Sequence, residues 1–185
     1  MRLFLACDLE ARVKDSIQAF IDKFRKWDGA VRWVRAENIH ITLYFFGEVK
    51  ENDSLPLQQL ITKALMAVHP FPVRVLGISG FPSLSRPRVL WVGVENPTND
   101  LREMYTMVDR HLLESGIGIQ SDSKGYTPHV TIARIKGPFN KKLVENLEDY
   151  QEHEFGSYQI NNAVLYQSIL KRDGPQYVPV KVFEL

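Results

Sequence analysis

The sequence predicts an α+β chain built as two similar lobes that face each other. Three observations carry this reading. Strand-like apolar runs alternate with stretches at helical spacing along the whole chain. Each half offers a strand, a helix and then a strand bearing His-x-Thr, although the halves are not repeats in sequence. Those two strands, "NIHITLYFF" and "HVTIARI", hold His40 with Thr42 and His129 with Thr131.

The elements follow in order. "RLFLACDL" (2–9) is short and apolar, which suits a buried strand. Val13, Ile17, Phe20, Ile21 and Phe24 recur at helical spacing and predict an amphipathic helix over 11–27, ended by Asp28-Gly29. "VRWV" (31–34) and "NIHITLYFF" (38–46) read as strands around the turn "RAEN". A second helix is expected over 54–69, with Pro56 near its first turn. "PVRVLGIS" and "RVLWVGVE" read as strands separated by the loop "GFPSLSRP". Asp100 and Gly116 bracket a third helix, Gly116 as its C-cap. After "HVTIARI", "NKKLVENLEDYQ" suggests a short fourth helix, and "EFGSYQINNAVLYQSIL" and "QYVPVKVFEL" close the chain as strands around "KRDGP".

A chain of 185 residues fits one domain or two half-size lobes sharing a core, and we expect a single bilobal domain over 1–185. Its 23 Lys and Arg against 22 Asp and Glu give a net charge of +1. That is too little excess for a protein that coats long nucleic acid, but it leaves room for a local cluster that holds a few phosphates. Cys7, the single cysteine, lies in an apolar run and reads as a small core residue; no internal disulfide or cysteine metal cage can form. Acidic Asp8 and Glu10 interrupt the first apolar run, so no signal peptide is expected, and no stretch approaches the roughly 20 apolar residues of a membrane span. A cytoplasmic location and a monomer are the expectations.

Side chains two apart on a strand share a face. His40 and Thr42 therefore oppose Ile39, Ile41 and Leu43, and His129 and Thr131 oppose Val130 and Ile132. The apolar set belongs in the core, so the polar faces look elsewhere, and between two lobes they would line a cleft. Two imidazoles across a cleft suit acid–base chemistry on a phosphodiester, because a pKa near 6.5 lets one be a base and the other an acid near neutrality. Hydroxyls and a guanidinium can hold the phosphoryl oxygens. This scheme calls for no metal or other cofactor, and the histidines lack the close spacing of a zinc site. His69, His111 and His153 read as structural or exposed.

"VRWVRAENIHITLYFFGEV" and "YTPHVTIARIKG" resemble the two signature segments of the two-histidine phosphoesterases, and more narrowly those of the RNA 2′,3′-cyclic phosphodiesterases, also called 2′-5′ RNA ligases. "MRLFLACDL", "GISGFPSLSRPRVLWVGV" and "SILKRDGPQYVPVKVFEL" agree in order, so the resemblance spans nearly the whole chain. It implies a bilobal fold of two antiparallel sheets flanked by helices, with a central cleft. It also implies metal-independent hydrolysis of RNA 2′,3′-cyclic phosphate ends to 2′-phosphomonoesters. The implied partner is such an RNA end or a small cyclic nucleotide, with no membrane. His40 would be the proton donor and His129 the proton acceptor, labels that sequence alone leaves exchangeable. Thr42 and Thr131 would bind phosphate. Alternatives are ligation or cleavage of 2′-5′ linkages in transfer-RNA halves or small nucleotides, and a non-catalytic nucleotide or RNA-end binding module.

Four further residues are expected at the substrate. In similar proteins the positions of Phe45 and Arg134, five after each histidine, line the base or ribose pocket and contact phosphate. Strand parity turns both away from the His/Thr face unless a bulge intervenes. Tyr44 shares the His40 face by parity, where similar proteins more often carry lysine; it would stack on a base or line the cleft. Tyr126 is a second candidate for stacking. Arg86 and Arg88 read as exposed solubilising charge.

Overall fold

A computed structural model describes residues 1–25, 31–119, 125–137, 141–172 and 174–185. Among the described residues, nine strands and four α-helices follow the expected alternation: β1 (Arg2–Asp8), α1 (Ala11–Phe24), β2 (Val31–Trp33), β3 (His40–Glu48), α2 (Glu51–Leu65), β4 (Phe71–Phe81), β5 (Val89–Glu95), α3 (Asp100–Ser115), β6 (His129–Ile135), α4 (Lys141–Glu148), β7 (Glu154–Ile160), β8 (Asn162–Lys171) and β9 (Gly174–Glu184). A short 3-10 turn, Ala36–Asn38, precedes β3.

The strands run in the order β7-β4-β5-β6-β3-β1-β8-β9, with β2 added beside β6. Every pairing is antiparallel. Two sets of strands, one on each side, meet where β3 touches β6 through the single registered pair Ile41 and Val130. This narrow seam is what makes one sheet behave as two lobes. Ile41 and Val130 are fully buried, and each contributes about 2 kcal/mol by leaving water.

"EFGSYQINNAVLYQSIL" divides at Asn161 into β7 and β8, which lie near opposite ends of the strand order. The single residue between them cannot cross a flat sheet of that width, so the sheet curls into a half-barrel. The Tyr158 hydroxyl of β7 accordingly donates to the carbonyl of Asp8 at the end of β1, 3.3 Å away.

Helix α1 buries the five apolar residues that its spacing singled out, and packs against β7. Asp28-Gly29, the expected stop, lies outside the described residues. Helix α2 starts three residues earlier than expected and ends at Leu65. Glu51 and Asp53 in its first turn complement the helix dipole, which outweighs the bond lost at Pro56 in an exposed position. Helix α3 packs on α2 and on β3, and ends at Gly116 in the left-handed conformation (φ 68°) that glycine adopts without strain. Cys7 is fully buried, and burial pushes its thiol pKa up. No helix among the described residues is long and apolar enough to cross a membrane.

Candidate active site

The seam builds the site. In an antiparallel pair the local symmetry is two-fold, and with Ile41 opposite Val130 one step to either side sets His40 alongside Thr131 and Thr42 alongside His129. A motif repeated on two such strands is thereby brought together face to face. All four side chains line one cleft of about 900 Å³.

Both strands then break their alternation in the same place. The pairing of β1 with β3 jumps from Ala6–Thr42 to Leu5–Tyr44, and that of β5 with β6 jumps from Trp91–Thr131 to Leu90–Ala133. One extra residue, Leu43 or Ile132, is accommodated in each strand, which is a β-bulge. Leu43 and Tyr44 are consecutive buried residues, as are Ile132 and Ala133. The residues just beyond the bulge change face. Phe45, 54% exposed, and Arg134 therefore join the cleft although simple alternation turns both away.

The same bulge removes Tyr44. Parity placed it with His40, but it is buried on the opposite side against Phe46 and Tyr105, and its hydroxyl donates to Asp109 Oδ1 of α3 at 2.6 Å. Tyr126 belongs to this cluster too: its ring stacks on Tyr105 with centroids 5.0 Å apart, its hydroxyl is buried without a hydrogen-bond partner among the described residues, and burial raises its pKa. Neither tyrosine is among the residues that line the cleft; both pack against Tyr105 of α3, away from the expected stacking position.

Each histidine is oriented by the carbonyl two residues before it. His40 Nδ1 donates to the Asn38 carbonyl at 2.8 Å, and His129 Nδ1 to the Thr127 carbonyl at 2.7 Å. A carbonyl can only accept, so the proton of each neutral ring sits on Nδ1 and Nε2 carries the lone pair. His40 Nε2 accepts from the Thr42 hydroxyl at 2.9 Å.

Aromatic rings flank both. Phe4 and Tyr177 lie 5.0 and 5.3 Å from His40, and Phe81 and Trp91 lie 5.4 and 5.9 Å from His129. Enclosure of His40 lowers its pKa from 6.5 to about 4, chiefly by burial, against the opposing effect of the Asn38 carbonyl.

The fold supplies participants that no sequence pattern announced. Asn38 orients His40 through its carbonyl while its side-chain amide donates to the Pro175 carbonyl at 3.0 Å, tying the β8–β9 hairpin to the site. Tyr177 and Phe81 line the cleft. Only cross-strand register brings these residues to the histidines. Arg86 and Arg88 are exposed and outside the cleft, as expected. His111 bonds to the Met107 carbonyl of its own helix, and His69 and His153 are exposed, so none of the three enters the site. No group of three or more His, Cys, Asp or Glu side chains among the described residues is arranged to hold a metal ion.

A sequence model of the 2'-5' RNA ligase superfamily matches residues 13–166. The chain belongs to that superfamily. Among relatives of this superfamily member, the RNA 2′,3′-cyclic phosphodiesterase of Methanothermobacter thermautotrophicus is 34% identical over 186 residues, covering 100% of this chain and 99% of the relative. The protein of the same name from Methanocaldococcus jannaschii is 35% identical, covering 98% and 99%. Among solved structures, TT0787 of Thermus thermophilus matches with a TM-score of 0.84 at 27% identity, covering 100% of this chain and 98% of that one. E. coli LigT complexed with 3'-AMP matches with a TM-score of 0.80 at 26% identity, covering 100% and 97%. The expected fold and family are therefore found, and the protein is a phosphoesterase.

Proposed function

We propose that this phosphoesterase hydrolyses the 2′,3′-cyclic phosphate at an RNA end to a 2′-phosphomonoester, using His40 and His129 as acid and base without a metal. The observation that carries the reading is the pair of His-x-Thr motifs set about the β3–β6 seam in one cleft, each imidazole fixed by the carbonyl two residues before it. The names of the relatives agree with the substrate.

In this scheme His129 Nε2 takes a proton from water as the water oxygen forms a bond to phosphorus. The bond from phosphorus to the 3′ oxygen breaks, and that oxygen receives a proton from His40 Nε2. The products are a 2′-phosphate and a free 3′-hydroxyl, and the two histidines have exchanged protonation states. Thr42, Thr131 and Arg134 hold the non-bridging oxygens, where preorganised donors act on charge that grows in the transition state. Phe45 stacks on the terminal base.

His40 must be charged to serve as the acid, whereas burial keeps it neutral near pH 7 in the free protein. The substrate supplies the correction. A phosphate anion beside the ring offsets the burial penalty and raises the pKa, so substrate and proton enter together.

The test is a short RNA ending in a 2′,3′-cyclic phosphate, incubated in EDTA with wild type, His40→Ala and His129→Ala. A 2′-phosphate product is expected from wild type, with both variants slower by about 10²- to 10⁴-fold. Binding by all three without turnover would make the chain a binding module and overturn the proposal.

A further inference from the structure

Enclosure and chemistry pull against each other at His40, whose ring must take up a proton in a site that burial makes hostile to charge. Burial lowers its pKa most; the Asn38 carbonyl and then Asp8 act against that effect, whereas Lys14 and His129 add to it. Asp8 is the one carboxylate in this set, and it is absent from the residues that line the cleft.

Main-chain pairing puts it there. β1 runs antiparallel to β3 with Asp8 directly opposite His40, just as Ala6 stands opposite Thr42. Directly opposed residues share a face of the sheet, with Cβ atoms about 5 Å apart. The bulge begins only beyond Ala6, so it leaves this pair undisturbed.

The carboxylate is also held. Tyr166 of β8 donates its hydroxyl to Asp8 Oδ2 at 2.8 Å. Burial, with the bond to Asp8 adding to it, raises the Tyr166 pKa, so the hydroxyl keeps its proton and remains a donor. Its ring stacks on Phe4 at 5.5 Å, and Phe4 in turn lies 5.0 Å from the His40 ring. Half-buried Asp8 forms no ion pair among the described residues, so no cation takes up its charge. It does not cap α1 either, whose N-cap is Glu10.

We infer that Asp8, held by Tyr166, is a positioning residue for His40: it faces the ring across the β1–β3 pair and favours the charged imidazole that serves as the acid. This rests on the hydrolytic reading, in which His40 gives its proton to the departing 3′ oxygen. The Asn38 carbonyl and Thr42 occupy the two ring nitrogens, so Asp8 acts through space and touches no substrate. The other titratable groups facing the ring are Lys14 of α1, His129 of β6 and Tyr177 of β9. Lys14 and His129 disfavour an imidazolium, and among these groups Asp8 alone supplies a counter-charge.

The experiment compares wild type with two variants. Asp8→Asn keeps an oxygen for Tyr166 and removes the charge; Tyr166→Phe keeps the stack on Phe4 and releases the carboxylate. The His40 ring is titrated by NMR, free and with adenosine 2′-monophosphate bound, and kcat and KM for a 2′,3′-cyclic mononucleotide are followed from about pH 5 to about pH 9. In Asp8→Asn the ring should titrate about one pH unit lower than in wild type in both states, the smaller end of what an opposite charge within about 4–6 Å does. Tyr166→Phe should shift it the same way by less. Near pH 8, kcat of Asp8→Asn should fall by about tenfold with KM little changed, and the loss should close as the pH drops below the pKa of the bound ring.

A purely structural role would lower kcat equally at every pH and leave the titration where it is. Either result overturns the inference and leaves the hydrolytic reading intact. If wild type opens no cyclic phosphate, the hydrolytic reading fails, and the titration of the free ring still decides whether Asp8 sets the charge on His40. Should Asp8→Asn not fold, Tyr166→Phe carries the test, and a ring that it leaves unmoved refutes the inference.

Discussion

The two walls of the cleft share a backbone and differ in their chemistry. Each has a histidine tethered to the carbonyl two residues back, a threonine two residues on, a bulge and a side chain re-aimed into the cleft. On the β3 wall the ring is enclosed by Phe4 and Tyr177, bonds to Thr42, and the re-aimed residue is Phe45. On the β6 wall the tether to Thr127 is exposed and the re-aimed residue is Arg134. Repetition fixes where the groups stand; the unlike surroundings give one wall an aromatic ring and the other a guanidinium, which the proposed function assigns to base and phosphate.

The largest expected effect tests the environment of His40. Its pKa is depressed from 6.5 to about 4, so as pH falls from 6.5 the unfolded chain takes up a proton that the folded chain refuses. Stability is full above about pH 6.5 and declines toward pH 4, by about 3 kcal/mol from this group. Urea unfolding of wild type and His40→Gln should show the variant losing less stability across that interval. An NMR titration should place the free ring near pH 4 and move it upward when a 2′-nucleotide is bound. An unmoved ring on binding would sink the idea that substrate supplies the acid's proton.

Exchanging the unlike residues sharpens the contrast at the next level. If Arg134 holds the phosphate as proposed, Arg134→Gln removes its charge-assisted bonds, and kcat/KM for a cyclic phosphate should fall by about 30-fold, or about 2 kcal/mol. If Phe45 stacks on the terminal base as proposed, Phe45→Ala removes that contact and should raise KM by about tenfold, near 1.4 kcal/mol, with kcat little changed. A larger loss in kcat at Phe45 than at Arg134 would reverse the division of labour between the walls.

How much of this was readable before folding depends on the range of the interaction. The period of a strand is local, so His40 with Thr42 and His129 with Thr131 were legible on common faces, as was the apolar stripe of α1. The bulges are not local. They arise because β1 and β5 pair across residues far along the chain, and no feature within "HITLYFF" marks Leu43 as the extra residue. Alternation carried past that point assigns Tyr44 and Phe45 to each other's faces. Lys171 and Arg172 are hidden for the same reason: a hairpin tip reaches the site only after the sheet has curled and Asn38 has found Pro175.

The smallest expected effect probes what lies behind the bulge on the β3 wall. Tyr44 fills the face opposite Phe45, and its hydroxyl gives Asp109 a short hydrogen bond, 2.6 Å, that joins β3 to α3. Tyr44→Phe keeps the ring packing against Phe46 and Tyr105 and removes the bond to Asp109, a loss of about 1 kcal/mol in chemical denaturation. Turnover of a cyclic phosphate should not change, because the residue lies outside the cleft and the bulge itself is set by main-chain pairing with β1. A fall in kcat/KM without a fall in stability would show that the tyrosine acts on substrate, as simple alternation suggested. A fall in both would mean that the bond to α3 helps to hold the bulge, and with it Phe45, in register.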